Sequence, residues 1–400
     1  MKKILLGSLL ILPVMLWAQV AIKAEMIYPV SSTPIRDGVI LIKDGKIKSI
    51  GTAASISIPA DYKIYAAKSV TPGLIDARTV IGMSGVLNIA ADQDQLEKSS
   101  PIQPELRAID AYNPEERLVK TARELGITTM HTGHGIGALV SGQTIIVKTK
   151  KGTTDQVTLN PFCMLAMTIG PDVSGHFSSP GTKAKQMSMI RTELLKAKDY
   201  LKKMSDKDST KRPNYDLKMD ALSKMLKGEI KAMITANRSV DIMNAIRLSK
   251  EFNFKLVIDG AAEAYLLINE IKEAKAEIVL HPTMARNEDE MINMNRESAM
   301  ILTKAGIPVS IESGYESYVP KTRIILYEAS VAVSYGMPFE EALKSITLNP
   351  SKLLGIDKRV GSLEIGKDAD IVLYDGDPFE YTTKVCKVFI EGELVSSVCE

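Results

Sequence analysis

Histidine, cysteine and tryptophan are scarce in this chain of 400 residues, which holds 4 His, 3 Cys and 1 Trp. Three cysteines, Cys163, Cys386 and Cys399, are too few for the framework of a small disulfide-held scaffold. In an exported chain Cys386 could pair with Cys399, but three scattered cysteines are more often free, buried thiols. Net charge is missing as well. The 50 Lys plus Arg face 48 Asp plus Glu, and two of those bases, Lys2 and Lys3, fall in the first eighteen residues, which leaves 48 against 48 beyond them. That balance excludes chain-wide attraction to nucleic acid or to an anionic membrane. The most basic stretch, 196–212, interleaves acids with its bases and reads as a solvated helix face, not a nucleic-acid patch. Beyond residue 18 no run approaches the ~18 consecutive apolar residues of a membrane span. What is present, 45% hydrophobic and 24% charged residues, is a globular composition. About 380 residues suit one barrel of roughly 250 residues with an appended second unit.

The N-terminus carries an address. Met1-Lys2-Lys3 is a short positive segment, and residues 4–17 (ILLGSLLILPVMLW) form an apolar run interrupted by Pro13 and followed at once by polar residues. The pattern predicts a cleaved signal over 1–18 and a secreted or periplasmic mature protein.

From residue 228 onward strand and helix alternate. KAMIT precedes SVDIMNAIRLSKEF, FKLVID precedes AAEAYLLINEIKEA, EIVLH precedes EDEMINMNRESAMILTKAG, and IPVSIE precedes TRIILYEASVAVSYG. Each strand is a continuous apolar run and each helix has apolar residues at three-four spacing, so the repeat predicts a parallel sheet covered by helices. VTPGLID, the helix in PEERLVKTARELG and then ITTMH extend the series upstream. The two chain ends read differently: DGVILIKDGKIKSIG has Asp44-Gly45 as a two-residue hairpin turn, and KVCKVFIEGELVSSV has Glu391-Gly392. Two β segments flanking an α/β core are expected to pair into one small β domain.

These segments, with SVTPGLIDA, GITTMHTGHGIGALVSGQ, SITLNPSKLLGI and VGSLEIGKDADIVLYDGDP, resemble the amidohydrolase superfamily, closest to its imidazolonepropionase-like branch. The resemblance implies an α/β fold, a (β/α)8 TIM-like barrel over 71–357, with a composite β-sandwich from 19–70 and 358–400. It also implies a metal-dependent hydrolase of carbon–nitrogen bonds other than peptides. The implied ligand positions, however, are substituted. A His-x-His pair is expected where Arg78 and Val80 stand, two further histidines where Thr235 and Asp259 stand, and an Asp where Gly314 stands, with Glu312 nearby after a slip of one or two residues. Such chemistry needs neutral imidazoles and a carboxylate around a divalent cation that activates water, and Arg78 would repel one.

The expectation is therefore a degenerate metal site with no cofactor, zinc or another divalent ion entering only if the site has been rebuilt. The Arg78 guanidinium would then fill the lost metal's place and pair with Asp259 or Glu312. A rebuilt site would draw on His131, His134, His281 and Asp259, although polar residues lining a vestigial pocket are the commoner outcome. For catalysis the candidates are Asp259 as general base, His131 or His281 as polarising or protonating groups and Arg78 for an oxyanion; His134, Thr235, Glu312 and Gly314 are candidate pocket residues. The leading reading is an exported binding or partner subunit. The implied partners are a small molecule, an active amidohydrolase paralogue or a second copy of the chain. The alternative is a hydrolase of cyclic or linear amides. Gly133, Gly135 and Gly137 follow a strand but lead into another strand, so a dinucleotide loop lacks its context, and neither a GxSxG elbow nor a Walker motif occurs.

Overall fold

The computed structural model describes residues 19–87, 89–315 and 322–399; the expected signal, 1–18, lies outside the described residues. The chain ends build one seven-stranded sheet. Its strands are β1 (Val20–Ile27), β2 (Ile35–Lys43), β3 (Lys46–Thr52) and β4 (Lys63–Pro72) from the N-terminal side. The middle of the chain supplies β5 (Leu74–Thr79), β6 (Ile127–Gly133), β7 (Gly142–Lys148), β8 (Thr158–Asn160), β9 (Met164–Thr168), β10 (Lys231–Ala236), β11 (Leu256–Gly260), β12 (Glu277–Leu280) and β13 (Val309–Ile311). The C-terminal side adds β14 (Ile371–Tyr374), β15 (Val385–Ile390) and β16 (Glu393–Ser397). The end sheet runs β16-β15-β14-β4-β1-β2-β3. Both expected hairpin turns are present: Asp44 and Gly45 have φ of 52° and 72°, and Glu391 and Gly392 have 50° and 78°, the left-handed pair a two-residue turn requires.

The middle strands form the barrel, a TIM-like α/β architecture with helices outside. Around its wall the order is β5-β6-β7-β9-β10-β11-β12-β13, with β8 pairing beside β7. A bridge between Thr79 and Gly314 joins the two ends. Seven of the eight wall strands are parallel and β7 runs against both its neighbours. The reason is local: residues 134–141 between β6 and β7 form no helix, and a short loop can only return an adjacent strand antiparallel. β4 runs almost directly into β5, broken at Gly73, where a Cβ would stand 2.2 Å from Thr128 Oγ1.

Side-chain alternation then builds the site. Met233, Val257 and Val279 point into the barrel and pack with Ile75, Ala77, Ile146 and Met164 as an interior layer separate from the main core. With a period of two, the next inward residues toward the carboxyl ends are Thr235, Asp259 and His281, and on β13 Ser310 leads to Glu312. Outward residues such as Ile234, Ile258 and Ile278 pack on the helices. The helix Ser239–Phe252 forms where expected, burying Ile242, Ala245, Ile246, Ser249 and Phe252 and ending at Asn253 with φ 57°, a left-handed cap.

Two expected helices are shorter than their sequence pattern. After β11 the helix is Ile268–Ala274, and after β12 it is Ser298–Lys304, preceded by the single 3-10 turn Asp289–Met291. Polar anchors hold the intervening chain out of helix: Thr283 Oγ1 and the Met284 amide donate to Glu328 at 2.9 and 2.8 Å, and Asn293 Nδ2 donates to Glu263 at 2.7 Å. That chain crosses the carboxyl end of the barrel instead.

The cysteines correct another expectation. Cys386 and Cys399 form a disulfide, and only Cys163 is a free, buried thiol. The β15–β16 hairpin brings them together, Val398 N donating to Cys386 O at 2.8 Å with Cα atoms 4.7 Å apart. The free Cys163 thiol is pushed by burial up to about 12, so it is inert at neutral pH.

Candidate active site

A cavity of about 250 Å3 opens at the carboxyl ends of the barrel strands, with Arg78, Val80, Thr235, Asp259, His281, Glu312 and Gly314 in its wall. All came from the sequence. Thr235 Oγ1 donates to Asp259 Oδ2 at 2.5 Å. Glu312 hydrogen-bonds to Asp259, and its carboxyl is held well above the usual carboxylate range, first by burial and then by the charge of Asp259 beside it. Glu312 therefore carries the proton and Asp259 accepts it, the arrangement two buried carboxyls adopt when both cannot ionise. His281 is 2% exposed. Its Nδ1 lies 2.8 Å from the Pro282 carbonyl, which can only accept, so Nδ1 bears the hydrogen and Nε2 a lone pair. Burial pushes the ring down to about 4, so it is neutral at pH 7.

Arg78 departs from expectation. At 4% exposure it is buried, but its guanidinium donates to the backbone carbonyls of Thr79, at 3.2 Å, and His134. Among the described residues no ion pair within 4.0 Å joins it to Asp259 or Glu312. The irregular pairing of β5 with β6 between Asp76 and Thr79 accompanies this turn of the side chain. Its charge still reaches Glu312 and lowers that acid's rise.

His131 and His134 lie outside the cavity wall, so the four-residue constellation of His131, His134, His281 and Asp259 is not assembled. His131 sits a layer lower, opposite Ile146, with Nδ1 at 2.8 Å from the Ala77 carbonyl and Nε2 at 2.6 Å from Thr144 Oγ1. Both ring nitrogens are occupied, and burial drives the ring down to about 3. The His134 ring packs against Gly142, where a Cβ would lie 2.4 Å from it; only its carbonyl serves the site, by receiving Arg78.

Other contributors escaped sequence reasoning. Asp76, fully buried, accepts from the amides of Arg78 at 3.3 Å and Ser313 at 3.1 Å, and burial raises it to about 7. Glu290 and Asp172, from the 3-10 turn Asp289–Met291 and the short helix Pro171–His176, both line the cavity. Burial and the Asp172 charge raise Glu290 to about 7. The acid run NEDEM was the only sequence signal, and it was absorbed into a predicted helix.

A catalytic metal of the kind the resemblance implies does not fit these donors. Among the described residues the one group of three His, Cys, Asp or Glu donor atoms within 4.8 Å of one another is Asp375, Cys386 and Cys399, two of which are the disulfide. At the barrel mouth stand an arginine, a valine and a hydroxyl, none of them an imidazole of the kind such a centre uses.

The fold now has known counterparts. The model of the amidohydrolase family matches residues 69–395. The chain belongs to that family. Amidohydrolase tasK of Hapsidospora irregularis is 24% identical over 392 residues, covering 89% of this amidohydrolase-family chain but 39% of tasK, so the chain spans about two fifths of that relative. An imidazolonepropionase of Shewanella sp. (strain MR-4) is 25% identical over 425 residues, covering 95% of this chain and 100% of the relative. Among solved structures, an amidohydrolase from Thermotoga maritima MSB8 superimposes with a TM-score of 0.89 at 29% identity, covering 95% of this chain and 100% of that one.

Proposed function

We propose that this amidohydrolase-family protein is an exported, small-molecule-binding member that has lost metal-dependent hydrolysis. Arg78 is the observation that carries the reading: a permanently charged, buried guanidinium is built into the mouth of the barrel and fastened to two backbone carbonyls, where a cation-binding site would need neutral donors. The cavity survives with a polar floor, and a concave site with a few convergent polar groups is what ligand recognition requires. Elemental mass spectrometry of the mature protein, after exposure to zinc and manganese and removal of loose ions, tests it. Less than about a tenth of an equivalent is expected, since family-type hydrolysis centres on the cation; a full equivalent surviving washing overturns the reading. A role as partner subunit to an active paralogue is tested by co-purification from the native host.

One observation favours a second reading, a metal-independent hydrolase of non-peptide carbon–nitrogen bonds. The shared proton of Asp259 and Glu312 is a general acid–base device. Asp259 would take a proton from water as its oxygen bonds to the amide carbon, and Glu312 would give one to the departing nitrogen as the C–N bond breaks. The support also comes from relatives named amidohydrolase and imidazolonepropionase. Turnover of an amide panel that disappears in Asp259→Asn, with folding intact, would establish it; absence of turnover in the unaltered protein removes it.

A further inference from the structure

The cavity wall has an imbalance between hydrogen-bond acceptors and donors. Four buried atoms of residues in it lack a hydrogen-bond partner: Asn237 Oδ1, His281 Nε2, Asp259 Oδ1 and Glu290 Oε1. Their residues are 7%, 2%, 1% and 8% exposed. Glu290 Oε1 offers acceptor capacity, Asn237 Oδ1 accepts, and Asp259 Oδ1 accepts because the hydrogen bond to Glu312 leaves it unused. His281 Nε2 also accepts, because its ring hydrogen is spent on Pro282. Unpaired buried acceptors carry a desolvation cost that a donor-bearing ligand would remove. The charge points the same way: besides the protonated Glu312, the wall holds Asp172, Asp259, Glu288, Asp289 and Glu290 against Arg78 and Arg286. Arg78 is already committed to carbonyls.

We infer that this cavity binds a small organic cation, an amine or guanidinium compound whose N–H groups meet Glu290, Asp259 and the lone pair of His281. The inference rests on the reading of the cavity as a binding site and adds the ligand's chemical class. At about 250 Å3 the cavity is smaller than the roughly 300–1,000 Å3 of common ligand pockets, so the compound is short. A hard divalent ion is the poorer match, because among the described residues no three carboxylate or imidazole donors at the barrel mouth approach within 4.8 Å of one another. Proton release should accompany binding. Glu290 faces Asp172 and Asp241, which raise it, and Lys183 and Arg238, which lower it; a cation set beside it favours the ionised form.

Isothermal titration calorimetry on the mature protein at pH 7 tests the inference with putrescine and agmatine as probes and with 1,4-butanediol and succinate as neutral and anionic counterparts of similar length. Saturable one-to-one binding of a cationic probe is expected, with no binding of the other two. Repeating the titration in buffers of different ionisation enthalpy should show protons released. Glu290→Gln should weaken binding at least about tenfold and Asp172→Asn several-fold, while Glu273→Gln, on an exposed helix, should leave it unchanged. Asp172→Asn guards against misfolding of the Glu290 variant, because Asp172 is only half-buried. Failure of both cationic probes to bind, or binding indifferent to Glu290→Gln and Asp172→Asn, overturns the inference. Binding of succinate in their place also overturns it yet leaves the binding function standing. A stoichiometric washed metal instead strikes at that function itself.

Discussion

Replacing Asp76 by Asn should make the protein more resistant to alkaline pH, although it removes a carboxylate that two backbone amides engage. Asp76 is fully buried and its carboxyl is raised from 3.8 to about 7, mainly by burial, against the opposing hydrogen bonds of Ser313 and Arg78. A raised acid binds its proton in the folded state over a pH range where the unfolded chain has released it. Stability is therefore unaffected by this group below about pH 4, falls as pH climbs toward 7, and levels off above. The slope is about 1.4 kcal/mol per pH unit, so between pH 5 and pH 8 the group removes about 3 kcal/mol. Asn keeps an oxygen for the two amides and cannot ionise. Its NH2 replaces Oδ2, which has no partner, at a cost of about 1–3 kcal/mol that does not vary with pH. Urea unfolding of both proteins at pH 5 and pH 8 gives a double difference from which the other titrating groups largely cancel. Glu312, which Asp76 also raises, relaxes in the same direction. The variant should gain about 3 kcal/mol relative to the parent on going from pH 5 to pH 8. An unchanged difference, or a loss, would refute the reasoning that burial leaves this acid without compensation.

Three further outcomes test how the two sheets hold together. Lys148, 1% exposed on β7, meets Asp370 at 2.5 Å and Asp368 at 3.4 Å below the end sheet; Asp368 also pairs with Lys46 and Arg359, so Lys148→Met should cost about 3–5 kcal/mol in urea unfolding by leaving the buried Asp370 carboxylate without a counter-ion. Gly73→Ala pushes a Cβ into Thr128 and should cost about 1–3 kcal/mol, with a small rescue in combination with Thr128→Ala. Reducing the Cys386–Cys399 bridge, which spans a separation of 13 residues, should lower stability by about 3 kcal/mol; a melting temperature indifferent to dithiothreitol would place the bridge outside the folding unit.

Most of the barrel strands were legible because each is a short, almost uninterrupted apolar run, and Lys231–Ala236 and Ile127–Gly133 fall where that pattern put them, whereas Met164–Thr168 was not read as a strand. The helix Ser239–Phe252 was legible to the residue from its three-four apolar spacing, and the structure adds a left-handed Asn253 cap. The segment after β12 misled for a physical reason: Glu288 to Met294 has helix-forming residues, but tertiary hydrogen bonds through Glu263 and Glu328 stretch it across the barrel mouth. His131 looked like a catalytic candidate because it ends an apolar run. Only the pairing with β7 shows that it lies opposite Ile146, a layer beneath the cavity. Arg78 was placed correctly on β5, but its direction depended on a local irregularity that spacing cannot disclose.

The same carboxyls show how buried acids at one end of a barrel can be neutralised by protons. Asp76, Asp259 and Glu312 gather around one end of the interior, and three ionised acids there would repel strongly at low dielectric. Glu312 stays protonated against Asp259, Asp76 is raised to about 7, and the Arg78 charge partly offsets both. Protonation thus does the neutralising, at the expense of stability as pH rises. That makes ligand binding and pH two routes to one balance: an organic cation in the cavity should displace protons, and alkaline pH should both destabilise the empty protein and tighten its hold on such a ligand. If affinity for putrescine instead falls between pH 6 and pH 8, while the amine remains charged, the acids at the barrel mouth are not its counter-ions.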